Sequence, residues 1–272
     1  MKKRLRLLAW MLTLTMLCEL LPFGAFAQSD VGQQLAFAAA QSLEEENGEA
    51  TIIGKCGDNL QWSLSSDGVL TIDGTGEMYD FTAASSSHSL SPWSNYADKI
   101  TSVIMHYGVT HVGNTAFFNC TNLSSVTIPE SVTSIGSSVF QGCTSLTSII
   151  LPDSVTTIGE HTFASCTALS SIILPKFLTS ISPYLFASCP IESITLPSSI
   201  TSIEKSAFQS CSSLTSITIP DSVTSISSNA FFNCSILNSI TIPTSVISIG
   251  SFAFDNCFYL RDVYYTGTQD QW

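Results

Sequence analysis

Between Cys211 and Cys234 the chain reads CSSLTSITIPDSVTSISSNAFFNC. Ile217 and Ile219 alternate with Ser216 and Thr218, a period of two that predicts a strand with an apolar inner face and a hydroxyl-rich outer face. Pro220 has no N–H to give a ladder and ends the strand. Asp221-Ser222 makes a bend, and Val223 and Ile226 turn inward again on a second extended segment. Ser227 to Asn233 is expected to form a helical or 3₁₀ turn that drives Ala230 and Phe231 into the core.

The same unit recurs on both sides of this stretch. Cys120, Cys143, Cys166, Cys189, Cys211, Cys234 and Cys257 follow at steps of 23, 23, 23, 22, 23 and 23 residues. A phenylalanine stands three positions before each: Phe117, Phe140, Phe163, Phe186, Phe208, Phe231 and Phe254. Pro129, Pro152, Pro175, Pro197, Pro220 and Pro243 mark the strand ends. A fixed period in the twenties predicts a stacked solenoid whose coils bury their apolar faces against one another. In this register a strand recurs eight times, at Ser102–Met105, Ser125–Ile128, Ser148–Leu151, Ser171–Leu174, Ser193–Leu196, Ser216–Ile219, Ser239–Ile242 and Asp262–Tyr265. At ~4.8 Å between neighbours the row would span roughly 34 Å.

The pattern L-x-S-I-T-I-P-x-S-V-T-S-I-x-x-x-A-F-x-x-C closely resembles the BspA-type leucine-rich repeats of bacterial surface proteins, over residues 100 to 265. The resemblance implies a leucine-rich-repeat-like right-handed coil with parallel strands on one face and short helical or 3₁₀ turns. It also implies an exported or surface-attached protein, some relatives being adhesins that hold host matrix proteins or other cells. Residues 54 to 96 are similar to a segment that precedes such arrays. Two departures stand out: Lys176-Phe177 replaces the acid–Ser pair, and Cys189-Pro190-Ile191 is one residue short. Both predict local irregularity in the coil.

Lys2, Lys3, Arg4 and Arg6, the apolar run Leu7 to Leu21 and Ala25-Phe26-Ala27 read as a secretory signal cleaved near Ala27. The apolar run carries Glu19 and falls short of the roughly 20 residues of a bilayer span. Thr15-Met16-Leu17 before Cys18 lacks the small residues of a lipoprotein site. Losing residues 1–27 leaves five cations against 20 acids, a net charge of −15 compared with −12 for the full chain. Five scattered cations exclude a nucleic-acid footprint or an anionic lipid surface as partner. The sequence therefore divides into signal peptide 1–27, a flexible acidic linker 28–49, a β-rich N-terminal cap module 50–99 and the solenoid 100–272. The C-terminus is expected to be truncated, because aromatics crowd the last strand where a polar cap would stand.

No residue set points to catalysis, a cofactor or a metal. One cysteine per coil makes a line, whereas a metal site needs convergence; each thiol is expected to fill the interior and bond weakly to turn backbone. His88, His106, His111 and His161 show no H-x-x-x-H spacing, and no G-x-S-x-G elbow occurs. Asp67-Gly68 and Asp73-Gly74 miss the calcium-loop register and read as hairpin turns between the runs Leu60–Leu64, Val69–Ile72 and Met78–Phe81. Trp62, Trp93 and Tyr79 read as the core of the cap.

The outer strand face is the candidate interaction surface. It offers Ser148, Ile150, Ser171, Ile173, Ser193, Thr195, Ser216, Thr218, Ser239, Thr241 and Tyr264, a neutral surface of hydroxyls and aliphatics. Either it meets an extracellular protein or glycan, or its serines and threonines are β-compatible filler. The functional expectation is a non-enzymatic binding or adhesion module, with a non-catalytic targeting or spacer region of a larger extracellular enzyme as the alternative.

Overall fold

The alternation at Leu60–Leu64 and Val69–Ile72 becomes a hairpin. The computed structural model describes residues 42–46, 49–83 and 89–268; the signal peptide, most of the acidic linker and His88 lie outside them. Strands β1 (Ser42–Glu46), β2 (Glu49–Lys55), β3 (Leu60–Leu64) and β4 (Val69–Gly74) form an antiparallel meander. Leu60, Trp62, Leu64, Leu70 and Ile72 bury one face of it. Asp67-Gly68 turns the chain as expected, with Gly68 at φ +86°, where a side chain would be strained.

Four expectations for this region are corrected. Residues 42–46 are a strand and not linker, so the β-rich module begins at Ser42; pairing needs only backbone groups, and charge suits an edge strand. Asp73-Gly74 is not a hairpin turn and Met78–Phe81 is not a strand. After Gly74 the short strand β5 (Gly76–Glu77) crosses to a second sheet, and Met78 and Phe81 donate their N–H groups to the carbonyls of His111 and Asn114. Contacts with the first coil thus replace a return onto β4. Tyr79 is 38% exposed, its hydroxyl donating to Asp58 at 2.7 Å, while Met78 and Phe81 take the buried positions.

The array follows directly, because β4 pairs in parallel with β6 (Ser102–Met105) of the first coil. Seven coils wind from there, each with three sides. On the first side stand β6, β8 (Ser125–Thr127), β13 (Ser216–Thr218), β15 (Ser239–Ile242) and β17 (Asp262–Tyr265). On the second stand β7 (Val109–Val112), β9 (Ser134–Ile135), β10 (Thr157–Ile158), β11 (Ser180–Ile181), β12 (Ser202–Ile203), β14 (Ser225–Ile226) and β16 (Ser248–Ile249). The first-side row is interrupted. Ser148–Leu151 meets Ser171–Leu174 only through an Ile150–Ile173 bridge, and Ser193–Leu196 has no ladder. The in–out alternation persists there all the same: Ile149, Leu151, Ile172, Leu174, Ile194 and Leu196 are buried.

The third side supplies the continuity. In every coil two residues four apart adopt left-handed backbone, from Thr115 and Asn119 to Phe252 and Asn256. Between them, alternate amides point along the solenoid. Thr115, Phe117 and Asn119 donate to Ser137, Val139 and Gln141 at 2.9, 2.9 and 2.8 Å, and each later junction repeats the three bonds through to Asn229, Phe231 and Asn233. The intervening amides close tight turns within the coil, as Ala230 N–H does on Ser227 O and Phe232 N–H on Asn229 O. These are the 3₁₀-type bonds expected of this segment. The left-handed residues keep them from joining into a helix, and among the described residues only Ser94–Tyr96 is assigned one.

Inside this side runs the phenylalanine column. Phe117, Phe140, Phe163, Phe186, Phe208 and Phe231 are fully buried, and with Phe254 they stack at 5.2–5.8 Å between ring centroids. Trp93 of the cap stands where a preceding phenylalanine would, 5.6 Å from Phe117 with planes 16° apart. Its indole N–H donates to Ala116 O at 2.7 Å, and Phe81 N–H to Asn114 O at 3.1 Å. The cap therefore satisfies carbonyls of the first coil that the ladder would otherwise leave bare.

Candidate interaction face

Register places every predicted face residue on the first side. Ser148, Ile150, Ser171, Ile173, Ser193, Thr195, Ser216, Thr218 and Tyr264 are exposed, and Ser239 and Thr241 half-buried. Where ladders form, the columns align across strands, Ser216 beside Ser239 beside Asp262, and Thr218 beside Thr241 beside Tyr264.

Several hydroxyls elsewhere on the coil are occupied. Ser131, Ser154, Ser199 and Ser222 donate to the carbonyls of Val109, Val132, Leu178 and Ile200 one coil back, at 2.5–2.7 Å. Thr133, Thr156, Thr201 and Thr224 do the same along the second side at 3.1–3.4 Å. Nothing in a Ser or Thr letter announces a carbonyl one coil away. By contrast the hydroxyls of Ser148, Ser171, Ser193, Ser216 and Ser239 make no hydrogen bond within the described residues. Next to them Ile150 and Ile173 are each 81% exposed. The first side thus sets unpaired hydroxyls beside exposed aliphatic side chains.

The cysteines behave as interior residues. Six thiols donate to the preceding coil's phenylalanine carbonyl, from Cys143 on Phe117 to Cys257 on Phe231, at 2.9–3.2 Å. Burial pushes Cys120, Cys189 and Cys234 up to about 12, so they are poor nucleophiles at neutral pH. All eight described cysteines are free thiols.

The described histidines are structural or superficial. His106 Nδ1 contacts Asp73, and His111 bridges Ser134 at 2.7 Å and Asp80 at 3.4 Å. His161 stacks on Tyr184 with centroids 4.4 Å apart. A cavity of about 580 Å³ between cap and first coil is lined by Asp58, Glu77, Met78, Tyr79, Asp80 and His111. Its groups largely pair with one another, Tyr79 with Asp58, and Asp80 with the Asn114 N–H at 2.8 Å. Among the described residues no three His, Cys, Asp or Glu side chains are arranged to hold a metal.

A family model for the BspA type leucine rich repeat region matches in 6 copies, over residues 93–215 and 201–269. Among solved structures, a leucine-rich repeat protein from Bacteroides ovatus is 25% identical over 76% of this chain and 70% of its own, with TM-score 0.47. A leucine rich repeat protein from T. pallidum is 20% identical over 76% and 91%, with TM-score 0.47. A leucine rich cell surface protein from Faecalibacterium prausnitzii is 22% identical over 85% and 96%, with TM-score 0.35. No curated protein matches.

Proposed function

Because this chain belongs to the BspA-type leucine-rich repeat family, we propose that it is a secreted or cell-surface, non-enzymatic module that binds an extracellular protein through the first side of its coils. One observation carries the reading: a column of serine hydroxyls that make no hydrogen bond among the described residues lies beside two adjacent isoleucines, each 81% exposed. Two apolar side chains exposed next to one another on one sheet face support an interaction role, as contiguous apolar patches do. The same isoleucines favour a protein over a glycan, since a neutral apolar centre within a hydroxyl surround resembles the core and rim of a protein interface. The basic start, apolar run and Ala25-Phe26-Ala27 support export. No helix of the described residues is long and apolar enough to cross a membrane.

The test uses residues 28–272 on a biosensor against a panel of purified extracellular matrix proteins and, separately, a glycan array. A saturable signal from a protein is expected, weakened at least about tenfold in Ile150→Ser/Ile173→Ser, as for loss of central apolar contacts. The thermal midpoint should not change. A glycan-only signal, silence across both panels, or binding indifferent to the double substitution would each overturn the proposal.

A further inference from the structure

Positions 176 and 177 depart from the repeat together. In the second, third, fifth and sixth coils the bend after the first side carries a serine whose hydroxyl donates back one coil: Ser131, Ser154, Ser199 and Ser222. The fourth coil has Phe177 there, 63% exposed. The residue before it is acidic in the second, third and sixth coils, as Glu130, Asp153 and Asp221, but is Lys176 in the fourth. The lysine supplies the fastening that the phenylalanine gives up. Its N–H donates to Asp153 Oδ1 at 3.1 Å, and its ammonium donates to the other carboxylate oxygen. The bend closes as it does in neighbouring coils, Leu178 N–H donating to Pro175 O at 3.2 Å. Ser199 of the fifth coil donates to Leu178 O and lies 2.7 Å from Lys176 O. Phe177 is thus held from the coils before and after it, with its ring largely in solvent.

An aromatic ring on a backbone already fixed loses little further freedom when a partner covers it, which suits it to anchor an interface. The neighbouring charges state what kind of partner fits. Asp153 is matched by Lys176. Glu130 and Asp221 are exposed in the same column, two coils to either side, and make no ion pair among the described residues. Two coil spacings place each about 10 Å from the fourth coil along the solenoid. An exposed ring between free carboxylates attracts guanidinium and ammonium groups, by cation–π contact and by ion pairing. Resting on the reading that the first side meets a protein, we propose that the Pro175–Leu178 bend carries this face round the corner from Ile150 and Ile173 and anchors a basic segment of the partner. One cation of that segment lies over Phe177. Others, about three residues away in an extended chain, meet Glu130 and Asp221.

A phage-displayed library of random peptides, selected on residues 28–272, tests this. Enriched peptides should be net positive, with cations about three residues apart. Synthetic copies should bind Phe177→Ala at least about tenfold more weakly and Phe177→Tyr nearly as well as the wild type. Glu130→Gln/Asp221→Asn should flatten the dependence of Kd on NaCl. An unchanged thermal midpoint shows that each variant is folded. Neutral or acidic peptides, no enrichment, or equal binding to Phe177→Ala would overturn the proposal. Peptides lost by Ile150→Ser/Ile173→Ser but kept by Phe177→Ala would defeat the anchor and leave the first-side reading intact. The reverse pattern would support the anchor and count against the two isoleucines.

Discussion

Truncating Phe186 to alanine tests the column on which the coils are threaded. The ring is fully buried, 5.8 Å from Phe163 and 5.5 Å from Phe208, with planes 6° and 22° apart. Losing a buried side chain of this size forfeits about 1.5–3 kcal/mol of transfer free energy. Each aromatic pair adds about 0.5–1.5 kcal/mol, and two are lost. Together these fall around the 3–5 kcal/mol seen for buried Phe truncations. An internal comparison sharpens the test. Phe254 is only half-buried and stacks on Phe231 alone, so Phe254→Ala should cost about half as much. Urea titrations followed by circular dichroism would give both values, with an unchanged slope indicating that stability alone has moved. Phe186→Ala costing no more than Phe254→Ala would refute the column as the source of stability.

Two further outcomes follow from the cap and the thiols. Trp93→Phe keeps the stack but leaves Ala116 O without its indole donor; about 1–3 kcal/mol should be lost, read from the same titrations, and no loss would mean the ring alone matters. For the cysteines, the unfolded thiols ionise near pH 8.5, whereas Cys120 and Cys189 are pushed up to about 12 in the fold. The unfolded chain therefore sheds protons first, and stability that is complete below pH 8.5 declines as pH rises towards 12. The urea midpoint should fall between pH 8 and 10.5, less steeply in Cys189→Ala, and an identical slope in that variant would contradict the assignment. Without denaturant, half-buried Cys257 should be the first thiol labelled.

Much of this was legible because the repeat states it seven times. Phe117 to Phe254 and Cys120 to Cys257 hold constant offsets, so one register assigned the whole core. The irregularity at Lys176-Phe177 was visible for the same reason. Less legible were features that depend on backbone conformation and not on side-chain type. Thr115, His161, Tyr184 and Phe252 are all left-handed, and among the turn positions only Gly142 and the asparagines Asn119, Asn229, Asn233 and Asn256 hint at it by composition. A tight inter-coil ladder imposes that conformation against residue preference. The strand at 42–46 hid in an acidic run, and Gly74 resembled a hairpin turn because an Asp-Gly pair does not reveal which sheet the next residues join. For the interaction face, sequence supplied the columns but not which hydroxyls the fold consumes; that depended on which carbonyls lie within reach.

The turn-side ladder is a one-way street. In each coil its amides face the next coil and its carbonyls face the one before. Two molecules approaching through equivalent ends would therefore set donor against donor or acceptor against acceptor. Only unlike ends could zip together, and at the first coil two of the receiving carbonyls already hold Phe81 and Trp93. Ordinary strand edges pair with almost any neighbour and so invite fibre growth. A directional edge with a plugged socket resists it, and a repeat array can lengthen by in-frame duplication without becoming a seed for polymerisation.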